Sequence, residues 1–170
     1  EMHGDALPDV YGGFGTSLRF YGVDFSIGFT YQLGGQVLDQ GYRFYMNSPA
    51  GTSTGNNYHH DLLNSWTPEN SGSNIPRFAY NDSNQAAVSD RFLTSASYLN
   101  IQNITLGYTL PKRITRKFLV ENLRIYLACD NVWYWSKRQG LDPRQSINGI
   151  TNPYYYAPIR TFSGGVTVTF

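Results

Sequence analysis

The stretch from Val23 to Leu33 constrains the fold of this chain more than any other. Val23, Phe25, Ile27, Phe29, Tyr31 and Leu33 stand at every second position, with Asp24, Ser26, Gly28, Thr30 and Gln32 between them. Side chains alternate faces along a strand, so this spacing predicts an extended segment with one apolar face and one polar face, not a helix. Burying those apolar side chains at about 1.5–3 kcal/mol each would contribute roughly 9–18 kcal/mol, an upper limit because the unfolded chain already hides some of that surface. A lone hairpin in water cannot bury them. The strand therefore needs either a second sheet or a bilayer against its apolar side.

Four other segments repeat the pattern. Residues 13–21 carry Phe14, Leu18 and Phe20 on one parity, and residues 122–134 carry Leu123, Ile125, Leu127 and Cys129. Residues 98–110 begin with Leu99 and Ile101 in one phase and continue with Ile104, Leu106, Tyr108 and Leu110 in the other, which predicts a β-bulge near Gln102–Asn103. Residues 160–170 place Phe162, Val166, Val168 and Phe170 opposite Thr161, Ser163, Thr167 and Thr169. A strictly alternating strand of about 9–11 residues suits a transmembrane barrel, and it equally suits the last strand of a soluble sandwich.

The connections are unequal. Tyr21–Gly22 and the basic 111–121 segment are short, while 34–97 and 135–159 are long, rich in Gly, Ser, Asn and Pro, and punctuated by aromatic rings; residues 1–12 also read as loop. A loop of that length within a compact domain is usually functional. Tyr58, Trp66, Tyr154 and Tyr155 are the loop rings picked as candidate substrate contacts, since a flat ring offers large contact area at low entropic cost. Trp133, Tyr134 and Trp135 have the composition of an interfacial aromatic girdle. Short and long connections alternating in this way are characteristic of transmembrane barrels.

Composition narrows the function classes. With 16% aromatic residues, 15% charged residues and a formal charge of +1, the chain has no field or basic stripe with which to hold nucleic acid. The single Cys129 excludes an internal disulfide. No apolar run is long enough for a membrane-spanning helix, a test that does not detect barrels, and no signal peptide opens the chain at Glu1. His59, His60 and Asp61 lack further ligands at useful spacing, so no metal is expected, and no cofactor either. Asn81–Asp82–Ser83–Asn84 reads as a turn, not a calcium loop. No nucleophile elbow, marked carboxylate pair or phosphate-cradling loop is present, so the chain is not expected to be an enzyme.

The order and spacing of several short motifs resemble the carboxyl-terminal end of SusC/RagA-type TonB-dependent outer-membrane transporters. They are Pro8–Asp9–Val10–Tyr11–Gly12–Gly13, Gly34–Gly35–Gln36–Val37, the run from Ser97 to Pro111, Asn122 to Tyr126, Asp130–Asn131–Val132–Trp133, Gly140–Leu141–Asp142–Pro143 and Pro158 to Phe162, continuing to Phe170. The resemblance implies an all-β fold: the last five antiparallel strands of a barrel of about 22 strands, with extracellular loops at 1–12, 34–97 and 135–159. It implies import of glycans or peptides across the outer membrane of a Gram-negative, Bacteroidetes-like cell. The implied partners are the remaining N-terminal part of the transporter with its plug, a SusD-like lid lipoprotein, TonB through the plug region absent from this chain, and outer-membrane lipid. Val23, Phe25, Ile27, Phe29, Tyr31, Leu123, Ile125, Leu127, Phe162, Val166 and Val168 would face that lipid, and Phe170 would be the assembly signal. The alternative function is a soluble β-sandwich carbohydrate-binding module.

Overall fold

The computed structural model describes residues 4–48, 55, 57–82, 84–138, 140–145, 148–152, 154 and 156–170. Five long strands form one antiparallel sheet: β1 (Val10–Phe20), β2 (Val23–Leu33), β5 (Tyr98–Thr109), β6 (Asn122–Ser136) and β7 (Thr161–Thr169), adjacent in that order. The strand expected from residue 13 starts earlier, because Val10 and Tyr11 pair with Leu33 and Gln32. Alternation does not reveal this, since Gly12 and Gly13 carry no side chain to mark a face.

Register aligns the faces across the whole sheet. One row runs Phe20, Val23, Tyr108, Ile125 and Val166; the next runs Leu18, Phe25, Leu106, Leu127 and Gly164; a third runs Thr16, Ile27, Ile104, Cys129 and Phe162. The opposite face reads Ser17, Ser26, Thr105, Ala128 and Ser163 in a single row. The phase change expected in the third long strand occurs where it was read: pairing skips Gln102, so Ile101 opposes both Phe29 and Trp133 and stays on the apolar face with Ile104. Phe14 stacks on Phe29 with centroids 4.8 Å apart, extending the apolar face to its far end.

The β1–β2 hairpin closes over two residues, with Tyr21 at φ 46° and Gly22 at φ 85°. Two positive φ values are what a type I′ turn requires, and the strand twist favours that turn. Gly22 also has no room for a side chain, since a Cβ there would lie 2.6 Å from the Thr109 carbonyl oxygen. On the polar face Arg124 of β6 reaches across β5 to Asp24 of β2, its Nε donating at 3.0 Å. Gly107 lies beneath this bridge, and a Cβ there would meet both side chains.

The apolar face of the sheet is open. Phe14, Leu18, Phe20, Leu127, Phe162 and Val166 are each more than half exposed, and among the described residues no second layer packs on them. The buried core lies elsewhere, in the 34–97 connection that alternation reads as patternless. There β3 (Gln36–Leu38) pairs with β4 (Leu93–Ser95), and a helical turn α1 (Gln40–Tyr45) follows β3. Leu38, Met46 and Phe92 are buried together, with Tyr42, Leu62, Ile75 and Leu93 packed around them. The second long connection joins in through a parallel bridge of Ile150 to Leu38 and a Thr151 amide donating to the Leu38 carbonyl at 3.1 Å. Between β5 and β6 lies α2 (Lys112–Thr115) with a further tight turn over Arg116–Phe118. No helix among the described residues is long and apolar enough to cross a membrane.

All the long connections leave from one end of the sheet, at Leu33, Tyr98, Ser136 and Thr161, and the short ones close the other. Phe92 is fully buried in the loop core, so Phe92→Ala should cost that unit about 3–5 kcal/mol. Limited proteolysis should then cut within 34–97 while the strands stay protected; simultaneous loss of both would show that the loop core does not fold as its own unit.

Candidate functional site

The two long connections meet at one cavity. After β3 the Asp39 carboxylate accepts the Tyr42 amide at 2.9 Å and caps the first turn of α1, which aims the Tyr42 ring inward. That ring meets Phe92 and His59 edge-on, with centroids 6.0 and 4.7 Å away. Its hydroxyl donates to Asp61 Oδ2 at 2.8 Å, and His59 Nδ1 accepts the Asp61 amide at 3.1 Å. From the second connection, the Arg138 guanidinium lies over the Tyr42 ring, 4.0 Å from its centroid, with a nitrogen 3.4 Å from Asp39. A cation over an aromatic face is attractive, and here it ties residues almost a hundred positions apart.

The cavity between them is about 700 Å³, with Tyr42, Tyr45, His59, Asp61, Lys137 and Arg138 among its lining. A second cavity of about 460 Å³ adjoins it through Thr151 and Asn152, and Arg43, Phe44 and Tyr154 line it. Asp142 closes one wall of the first cavity, buried and forked to Arg144 with Nε at 2.8 Å. Aromatic faces beside paired charges and amides suit a polar solute with both ring or stem and hydrogen-bonding groups. Burial pushes the Tyr42 hydroxyl up to about 12, and its bond to Asp61 acts in the same direction, so it stays neutral and serves as a donor. The Tyr42 hydrogen bond holds Asp61 below the usual carboxylate range. Among the described residues no three His, Cys, Asp or Glu side chains converge as a metal site would need.

Of the loop rings chosen from sequence, Tyr154 lines the second cavity and is mostly exposed. Tyr58 packs edge-on against Phe78 at 5.7 Å, and Trp66 hydrogen-bonds through its amide to Ile75, so neither lines the main cavity. Tyr155 lies outside the described residues. Tyr42, Tyr45 and Arg138 are the groups that aromatic content alone did not separate from their neighbours. The available signal was Asp39 three positions before Tyr42, a capping pattern that fixes where the ring points.

The Asp61 shift has a pH consequence. Its folded pKa lies below the unfolded one, so its stabilising effect is present above the ordinary carboxylate range of ~3.9 and is lost as pH falls through the folded value. Tyr42→Phe removes the donor. Pepsin should therefore open the 34–97 connection at a higher pH in that variant than in the wild type, and identical acid limits would show that the bond contributes nothing.

No protein-family model matches the chain. It is 27% identical over its whole length to "TonB-dependent receptor P3" of Formosa agariphila, matching 17% of that protein. It is 28% identical over 95% of its length to "TonB-dependent receptor SusC" of Bacteroides thetaiotaomicron, matching 15% of it. Its fold superposes on a chain of the RagAB peptide importer in the "closed-closed" state with a TM-score of 0.82 at 22% identity, covering 99% of this chain and 18% of that one. The chain thus spans less than a fifth of each protein it matches. None of the three is named as an enzyme. Over essentially its whole length, in sequence and in fold, the chain is the counterpart of a segment of a SusC/RagA-type TonB-dependent receptor.

Proposed function

We propose that the chain forms part of the wall and outer loops of a transmembrane β-barrel in a TonB-dependent transporter that imports glycans or peptides across the outer membrane. One observation carries this reading: among the described residues a continuous apolar face across five strands is left uncovered, and no further strand pairs with the outer edges of β1 and β7. In water such a face and two such edges are an aggregation hazard; in a bilayer the face is solvated by lipid, and the edges must pair to avoid losing several kcal/mol for each unmet backbone group. Val23 to Leu33 spans about 34 Å along the strand, which at a barrel tilt of 35–45° rises about 24–28 Å, close to the ~25 Å apolar band of outer-membrane barrels. A soluble sandwich would need a second sheet on that face.

On this reading Val23, Phe25, Ile27, Phe29, Tyr31, Leu123, Ile125, Leu127, Phe162, Val166 and Val168 face lipid, and the Ser17–Ser163 row faces the lumen. Trp133 and Trp135, both about half exposed on the apolar side near the long loops, form the outer aromatic girdle. The long connections are extracellular, and the cavity around Tyr42 receives part of the solute before it enters the lumen. Remaining barrel strands, a plug contacting TonB and a lid lipoprotein complete the transporter; the peptide importer named among the similar structures favours peptides as the solute. Phe170, 88% exposed at the end of β7, serves barrel assembly.

Phe29→Arg near mid-wall should cost about 2–4 kcal/mol, while Thr30→Arg on the other face should be milder; urea titration of the protein in lipid decides, and the reverse order would invert the two faces. On intact cells, labels should reach the neighbourhood of Trp66 but not Lys112 to Lys117, and labelling of the basic turn would invert the topology. Deleting Phe170 should reduce surface-exposed protein per cell far more than solute affinity of the protein that does insert; normal insertion would refute its assembly role.

A further inference from the structure

The β5–β6 connection carries chemistry that neither cavity uses. Between Pro111 and Glu121 it holds Lys112, Arg113, Arg116 and Lys117 against the single acid Glu121. All four cations are exposed, and among the described residues none of them forms an ion pair. Apolar side chains stand between and after them: Ile114 is 46% exposed, Phe118 72% and Leu119 88%. The segment is nonetheless a closed turn, with Thr115 buried and its carbonyl accepting the Val120 amide at 3.2 Å. Leu119 sits at φ 58°, a left-handed conformation that crowds its Cβ against the backbone. A bulky residue held in that conformation and turned away from the protein does nothing for the packing of this chain.

The position of the turn gives these side chains a partner. It joins two adjacent strands of the wall, so it lies on the rim where the apolar face ends, next to the row Phe20, Val23, Tyr108 and Ile125. The neighbouring turn on the same rim also displays large rings, Phe20 and Tyr21, at 72% and 86% exposure. At the rim of a transmembrane wall hydrocarbon gives way to charged headgroups. Apolar tips can enter the first, and long Lys and Arg stems can reach the second. Resting on the transmembrane reading above, we infer that the 111–121 turn binds anionic phospholipid headgroups in the leaflet at the short-connection end, with Phe118 and Leu119 inserted among the acyl chains. The uncompensated cations supply the charge complementarity, and the apolar tips continue the lipid-facing surface, which favours a lipid over a soluble anion or an acidic protein.

The test uses the protein extracted from membranes with whatever chains pair to its sheet edges. It is placed in nanodiscs of phosphatidylcholine with and without phosphatidylglycerol, and the lipids it retains after detergent washing are counted by native mass spectrometry. Phosphatidylglycerol should be retained preferentially, and the preference should fall about fivefold for each cation removed and vanish when Lys112, Arg113, Arg116 and Lys117 are all changed to Gln. Phe118→Ser with Leu119→Ser should weaken retention of both lipids. Melting curves matching the wild type will show that the variants are folded. Equal retention of the two lipids by the wild type, or an undiminished preference in the all-Gln variant, overturns the headgroup site. Displacement of phosphatidylglycerol by an equal concentration of inorganic phosphate overturns it too, in favour of a simple anion site. Failure of the wild type to enter either nanodisc refutes the transmembrane reading itself, whereas entry without preference refutes the headgroup site alone.

Discussion

The structure depends on cross-strand register. Each strand is two-faced, and a slip of one residue would turn its apolar side chains to the opposite surface. Pairing Phe29 with Ile101 and Ile101 with Trp133, with Gln102 skipped, keeps the rows continuous where the sequence of β5 changes phase. The bulge is therefore the device that lets five strands share one apolar surface, and the openness of that surface follows from it. Asp24 and Arg124, bridging over Gly107, tie β2 to β6 on the other face and hold the same register from the polar side.

Stability is divided unequally between the two ends of the molecule. The sheet is held by backbone pairing and by contacts within an exposed apolar layer, whereas the buried hydrophobic side chains among the described residues, Val37, Leu38, Met46, Phe92 and Ala96, all lie in the 34–97 connection. That unit is pinned to the second long connection by Leu38–Ile150 and by Arg138 over Tyr42. A charged and aromatic cavity at the loop end and a basic, apolar-tipped rim at the other follow from the same antiparallel arrangement, which sends long connections one way and short ones the other.

Strict alternation was enough to identify the long strands, their two faces and the phase break in β5, because a period of two is a property of neighbouring residues and survives whatever the strand packs against. Val23 to Leu33 shows this most directly, coinciding with β2 at both ends. Ordered motifs from Pro8 to Phe170 carried the resemblance that sequence and fold similarity then supported.

The tertiary structure decided what depends on residues distant in the chain. Tyr58 and Trp66 are as aromatic as Tyr42, but only Tyr42 is oriented by a capping Asp39, bonded to Asp61 and covered by Arg138, and the last of these arrives from another connection. The buried core of the 34–97 segment was hidden for the same reason: Leu38, Met46 and Phe92 have no common period and meet only when β3 pairs with β4. Local pattern thus determined the strands and their faces, since each strand carries its own period; only long-range contacts determined the core of the loops and the members of the cavity, since loops take their order from what they touch.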